Sequence, residues 1–205
     1  MTPLPVEVLV EEPSAETALR LLLPRIIPDV PFALRVFQGK HDLLKKLPNL
    51  MKGYVQWPGV AAARVVVLID RDDEDCHTLR SRLDTIATDA GFVATGSLRQ
   101  ILNRIAVEEL EAWFIGDISA VTSAFPRVPA ATSTKSVFRN PDAVIGGTWE
   151  AFERLLQKHG YCKNGLAKIG TASAIATYMD VEKNESRSFQ VFRDGLRKFV
   201  SREDF

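Results

Sequence analysis

The chain has 205 residues, 46% apolar and 25% charged, which fits one globular α/β domain with an elaboration and a core that buries roughly 70% of the unfolded chain's surface. Twenty-six Lys plus Arg balance twenty-six Asp plus Glu, so global charge gives no support for nucleic-acid binding, which would need a local basic patch. Cys76 and Cys162 form neither a disulfide framework nor a zinc spacing, no apolar run reaches the ~18 residues of a membrane span, and MTPLPVEVLVEE lacks the regions of a secretory signal, so the expectation is a cytoplasmic protein without membrane contact.

Residues 6–10 (VEVLV) are a β-branched run between Pro5 and Glu11 and read as a strand buried on both faces, as in a parallel sheet. A helix over 15–23 follows, with Ala18, Leu19, Leu22 and Leu23 on one stripe, Ser14 as N-cap, and Pro24 and Pro28 ending or kinking it. Residues 32–37 read as a second strand, and residues 40–54 as a helix kinked at Pro48. Residues 65–69 (VVVLI) are the clearest strand, ending abruptly in Asp70-Arg71-Asp72-Asp73-Glu74-Asp75 before a helix over 75–90 that Gly91 stops. Residues 101–107 give a fourth strand and 108–116 a helix. This alternation predicts an α/β fold with a mostly parallel sheet flanked by helices. Residues 119–148 read as an irregular excursion with short helical pieces, and helices over 148–159, 171–178 and 188–200 follow. The expected organisation is a core over residues 1–118 and a helical C-terminal elaboration over 119–205 packed on it.

Acidic residues stand where three of these strands end: Glu11 and Glu12 after the first, Asp70, Asp72 and Asp73 after the third, Glu108, Glu109 and Glu111 after the fourth. A parallel sheet brings strand ends to one edge, where ligands bind. Carboxylates that converge repel unless a counter-charge is present, and a divalent cation removes the conflict. With no His or Cys in the group, oxygen ligands point to Mg²⁺ or Mn²⁺ rather than zinc. Asp70 and Asp72 are two apart, so their side chains leave an extended segment on the same face and can reach one ion, or one each of a close pair. Glu12, Glu16, Asp73, Glu74 and Asp75 read instead as helix-start acids. The spacing leaves open which of Glu108, Glu109 and Glu111 faces the site; Glu111 is the choice carried forward. Trp113 and the late aromatics read as core, and His77, placed where it could shuttle a proton, reads rather as a partly exposed helix residue, while His41 and His159 carry no local signal.

A strand ending in Glu followed by a strand ending in Asp-x-Asp resembles the signature of Toprim domains of topoisomerases, primases and OLD-type nucleases, carried here by Glu11 in VLVEEPSAE and Asp70 with Asp72 in VVVLIDRDD. The chain is more closely similar to the Toprim-like family DUF4276, through Gly39-Lys40, Ile69-Asp70-Arg71-Asp72, the Glu109-Leu110-Glu111-Ala112-Trp113 segment through Asp117, Asn140-Pro141, Gly160-Tyr161-Cys162-Lys163 and Ser186-Arg187-Ser188-Phe189. Glu12 departs from the Gly usual in Toprim proteins at that position. The resemblance implies a Toprim-like, Rossmann-like fold and metal-dependent cleavage of a phosphodiester, with DNA or RNA as substrate. Glu11, Asp70, Asp72 and Glu111 would be the metal and catalytic residues, and Lys163 the downstream cation near the scissile phosphate. It also implies a role in bacterial anti-phage defence beside an AAA- or ABC-type ATPase. Two other expectations compete: a non-catalytic interaction module partnering that ATPase, and a phospho-accepting domain built on Asp70.

Overall fold

The computed structural model describes residues 5–56, 63–72, 74–92, 99–107, 109–134, 138–144, 147–163, 165 and 167–201. Strands β1 (Val6–Val10), β2 (Phe32–Val36), β3 (Ala63–Asp70) and β4 (Arg99–Ala106) form one sheet in the order β2-β1-β3-β4, with every pair parallel. Helices α1 (Pro13–Ile26), α2 (Lys40–Gln56) and α3 (Cys76–Asp89) make the crossovers, as the alternation of patterns predicts. The continuous apolar runs of β1 and β3 have their reason in two cores. Val6, Val8, Val10, Val66 and Leu68 pack on one face with α1, whereas Leu9, Val65, Val67 and Ile69 pack on the other with α2 and α3.

One local expectation gives way, and of the two offered for Pro24 the ending is ruled out. Ser14 is not the N-cap of α1. Glu12 holds that position, and Ser14 is buried in the first turn with its hydroxyl donating to the Glu12 carboxylate. Pro24 does not end the helix, which runs on to Ile26. A proline removes one backbone bond, but Leu22, Leu23 and Ile26 on either side of it are buried, and Arg25 donates to the Met179 carbonyl at 2.6 Å, so packing holds the last turn in place.

Beyond β4 the chain forms α4 (Glu111–Ile115), α5 (Ile118–Ala124), short 3-10 turns at Ala130–Thr134 and Pro141–Ala143, then α6 (Thr148–Lys158), α7 (Lys168–Tyr178) and α8 (Arg187–Val200). The helix expected over 108–116 is thus only the five residues of α4. Glu108, like Asp73, lies outside the described residues. Residues of α4 through α8 belong to the same apolar cluster as β1 and α1. Trp113 is fully buried there, its ring 5.2 Å from Phe189 and 5.0 Å from Phe192, and its Nε1 donates to Ser188 Oγ at 2.9 Å. Ser188 Oγ in turn donates to Asp142 at 2.7 Å, and Asn184 Nδ2 donates to the Trp113 carbonyl at 2.7 Å. Asp117 accepts from Ala120 N at 3.0 Å and Asp180 N at 2.7 Å. Several of the short landmarks in the sequence are therefore one interlocked polar and aromatic knot. No helix among the described residues is long and apolar enough to cross a membrane.

Because the two parts of the chain share a core, urea unfolding is expected as a single transition, and Trp113→Ala should lower its stability by about 3–5 kcal/mol. Two separate transitions, with only the first moved by the substitution, would contradict the shared core.

Candidate functional site

The strand order reverses between β1 and β3, and in open α/β sheets that switch point opens a crevice beyond the carboxyl ends of the strands. Glu11 follows β1 and Asp70 is the last residue of β3, so the fold places them on its two sides. The contact is direct: Glu11 Oε1 accepts the Asp70 backbone N–H at 2.6 Å. The Glu11 carbonyl accepts Gly39 N at 2.8 Å, and Gly39 has φ +89°, a left-handed conformation that favours glycine and turns the chain from β2 into α2. Lys40 can then reach back over the edge. Its Nζ donates to the carbonyls of Asp70 and Arg71, each at 2.9 Å, and contacts Asp72 Oδ2 at 3.1 Å and Glu74 Oε1 at 2.8 Å.

The extended backbone that would put Asp70 and Asp72 on one face does not reach Asp72, although Asp72 stays within electrostatic reach of Asp70 and Glu11. The extended backbone ends at Asp70, Arg71 N closes onto the Ala106 carbonyl at 2.9 Å, and Asp72 turns left-handed with φ 50°. Its side chain, 50% exposed, is directed to Lys40. Asp75 caps α3 by accepting Thr78 N at 2.8 Å. His77 is exposed.

Glu111 opens α4 and is 4% exposed, and it lies within electrostatic reach of Asp70. Glu109, just before the helix, accepts Trp149 N at 2.8 Å. Glu12 has an extended backbone (φ −143°), so this position demands no glycine, and its carboxylate is 3.5 Å from Lys168 Nζ. Lys168, the first residue of α7, also stands over the Trp149 ring at 4.4 Å. Lys163 is exposed and makes no hydrogen bond or ion pair among the described residues.

Burial pushes Glu11 up to about 7, with the charges of Asp72 and Glu12 adding to it and the Asp70 N–H and Lys40 opposing. Burial likewise pushes Glu111 up to about 7, helped by Glu109 and Glu12. Asp70 is raised well above the usual carboxylate range, by burial first and then by Glu11 and Glu111. Burial works against the charges of Lys40 and Lys168, but their acidic partners more than offset it and both are raised. The crevice thus holds carboxyl groups that resist ionising together, edged by two lysines already committed to Asp72, Glu74 and Glu12.

No three of His, Cys, Asp and Glu among the described residues close into a ready cage for a metal ion. The donor chemistry still fits a hard divalent cation. Mg²⁺ keeps several waters and is held by one or two carboxylates plus substrate phosphates, and Glu11 and Asp70, with Glu111 in electrostatic reach of Asp70, are donors of that kind.

Lys40 and Lys168 are contacts that motif reading left without a role. Lys40 had a usable signal, a lysine directly after a glycine at the carboxyl edge of the sheet. Lys168 had none, since Glu12 is 156 residues away.

A carboxyl raised by burial favours the folded state while protonated. Its contribution is complete below the unfolded value of 4.5 and is lost as pH rises through about 7. Glu11→Gln keeps an oxygen to accept the Asp70 N–H, so with chelator present it should melt higher than wild type at pH 8 and much the same at pH 4.5. Equal melting shifts at both pH values would contradict the raised carboxyl.

A family model described as a domain of unknown function, DUF4276, matches residues 10–197. No curated protein and no solved structure matches the chain. The match takes in the crevice, both lysines and the knot around Trp113, and on that extent the chain belongs to the DUF4276 family.

Proposed function

We propose that the chain is a Toprim-like nuclease that cleaves phosphodiester bonds of DNA or RNA with Mg²⁺ or Mn²⁺, acting as an effector in bacterial anti-phage defence beside an ATPase. The observation that carries this reading is the Glu11–Asp70 contact at the switch point, with Glu111 close enough to perturb Asp70. The resemblance of the acidic motifs to Toprim domains supports the reaction class, the defence role and the ATPase partner.

Glu11 and Asp70 would hold the cation, Glu111 would add a ligand or orient water, and Asp72 would join by exchanging its contact with Lys40. When bound, the cation supplies activation of a water and stabilisation of charge on the leaving oxygen. Lys168 or Lys163 would bind a non-bridging oxygen of the scissile phosphate. Lys168 is the better placed, because it already faces Glu12 and Glu111. Glu11 also keeps the loop after β3 fixed against β1, which holds the Asp70 carboxyl in one place.

A specific observation favours the second reading, a non-catalytic module that docks on the ATPase. Lys40 already neutralises Asp72 and Glu74, and Lys168 already faces Glu12, so the edge is stable without a metal.

The two readings separate on cleavage. Plasmid DNA, single-stranded DNA and RNA incubated with Mn²⁺ or Mg²⁺ should be cut by wild type and not by Asp70→Ala, with circular dichroism unchanged. Mn²⁺ at roughly a hundred times its dissociation constant should stabilise wild type by about 2.7 kcal/mol and leave Asp70→Ala unmoved. Absence of cleavage at any stoichiometry, alone and with the ATPase, together with no Mn²⁺ effect on melting, would leave the docking reading in its place.

A further inference from the structure

A line of cations runs away from the crevice on the side of the sheet covered by α2 and α3. Two neighbouring depressions share Lys45. One is lined by Lys40, His41, Leu44, Lys45, Glu74 and Arg82. The other is lined by Arg35, Phe37, Lys45, Lys46, Asn49 and Leu50. Together they gather five cationic side chains; Asp72 and Glu74 hold Lys40, Asp42 holds Lys46 and Glu7 holds Arg35, so Lys45 and Arg82 are the positive charges left without an ion pair among the described residues. Such a local excess is the electrostatic footprint of a polyanion site.

The line starts at the crevice, because Lys40 Nζ touches the carbonyls of Asp70 and Arg71. Lys45 and Arg82 are exposed and make no hydrogen bond or ion pair among the described residues. Lys46 and Arg35 are held by Asp42 and Glu7 at the surface, where such pairs contribute little and are readily exchanged. We infer that this line is the docking track for the phosphodiester backbone of a nucleic-acid strand entering the crevice.

The dimensions suit that occupant. Lys40 and Lys46 are separated by about 9 Å along the helix at 1.5 Å per residue, roughly the axial length of two to three nucleotides at 3.4 Å each. A lipid surface fits less well, since it requires apolar side chains that insert. The large exposed hydrophobic residues are Leu21, Ile169, Tyr178 and Val191, none of them lining the track. The inference deepens the nuclease reading by naming the path of its substrate, and it rests on that reading only for what happens at the end of the path.

The experiment measures binding without cleavage. A fluorescein-labelled 20-nucleotide single strand is titrated with the full chain in EDTA, by anisotropy, over a series of salt concentrations. Lys45→Glu with Arg82→Glu should weaken binding by roughly tenfold or more at low salt and lower the slope of log affinity against log salt by about one per charge removed. Lys198→Glu with Lys158→Glu, on α8 and α6 and away from the track, makes the same change in net charge and should leave the slope within error of wild type. Equal losses for the control and the track variant would overturn the inference, as would wild type that fails to bind, or wild type that binds only phosphatidylserine vesicles. Track-dependent binding with no Mn²⁺- or Mg²⁺-dependent cleavage would keep the track and remove the nuclease. Cleavage with binding unaffected by the two substitutions would do the reverse.

Discussion

Ionised oxygen taken out of water has to be answered by donors or by positive charge, and the crevice between β1 and β3 is organised around that demand. The topology makes the demand unavoidable. Two strands adjacent in the sheet but distant in sequence end side by side, one followed by Glu11 and the other finishing in Asp70. The backbone N–H of Asp70 answers Glu11. Lys40 answers the carbonyls and acids of the next turn, and Lys168 answers Glu12. What is left over are the carboxyls of Asp70 and Glu111, both raised by burial. Sites with such perturbed groups in a cleft are where function concentrates.

The two lysines answer that demand from opposite directions. Lys40 arrives on the side of α2, on a turn made possible by Gly39, and binds the main chain as much as the acids. Lys168 arrives from the C-terminal part of the chain, steadied by the face of Trp149. A group that neutralises through main-chain carbonyls keeps its place when the acids change partner. A group held over an aromatic ring at an exposed position can move toward an incoming anion at little cost.

Much of this was legible in the sequence, and the reasons are physical. β1 and β3 announce themselves because a strand buried on both faces must be apolar throughout, as Val65 to Ile69 are. The order of elements followed from the alternation, and Glu11, Asp70 and Glu111 from standing just past or at the strand ends. Pro24 left the helix end open because propensity is local while the packing of Leu22 and Ile26 is not. The route to Asp72 was less legible, because the side-chain period of two holds only while the backbone stays extended, and Asp72 turns left-handed toward Lys40. Ser14 misled because its hydroxyl serves Glu12 rather than a free backbone donor. Lys168 could not be found, since a contact spanning 156 residues leaves no trace in any local pattern.

The knot at Trp113 carries a consequence for the order of assembly. Glu111 sits on a helix of five residues, too short to stand alone. What steadies that helix is Trp113 wedged against Phe189 and Phe192 and tied to Ser188, all in α8. A chain with α8 unmade would carry Glu11 and Asp70 on a finished sheet, while the helix that bears Glu111 would lean on α6 through Phe114 and Phe152 but lack the ties of Trp113 to α8. The third acid of the crevice is therefore fully steadied only once α8 has docked.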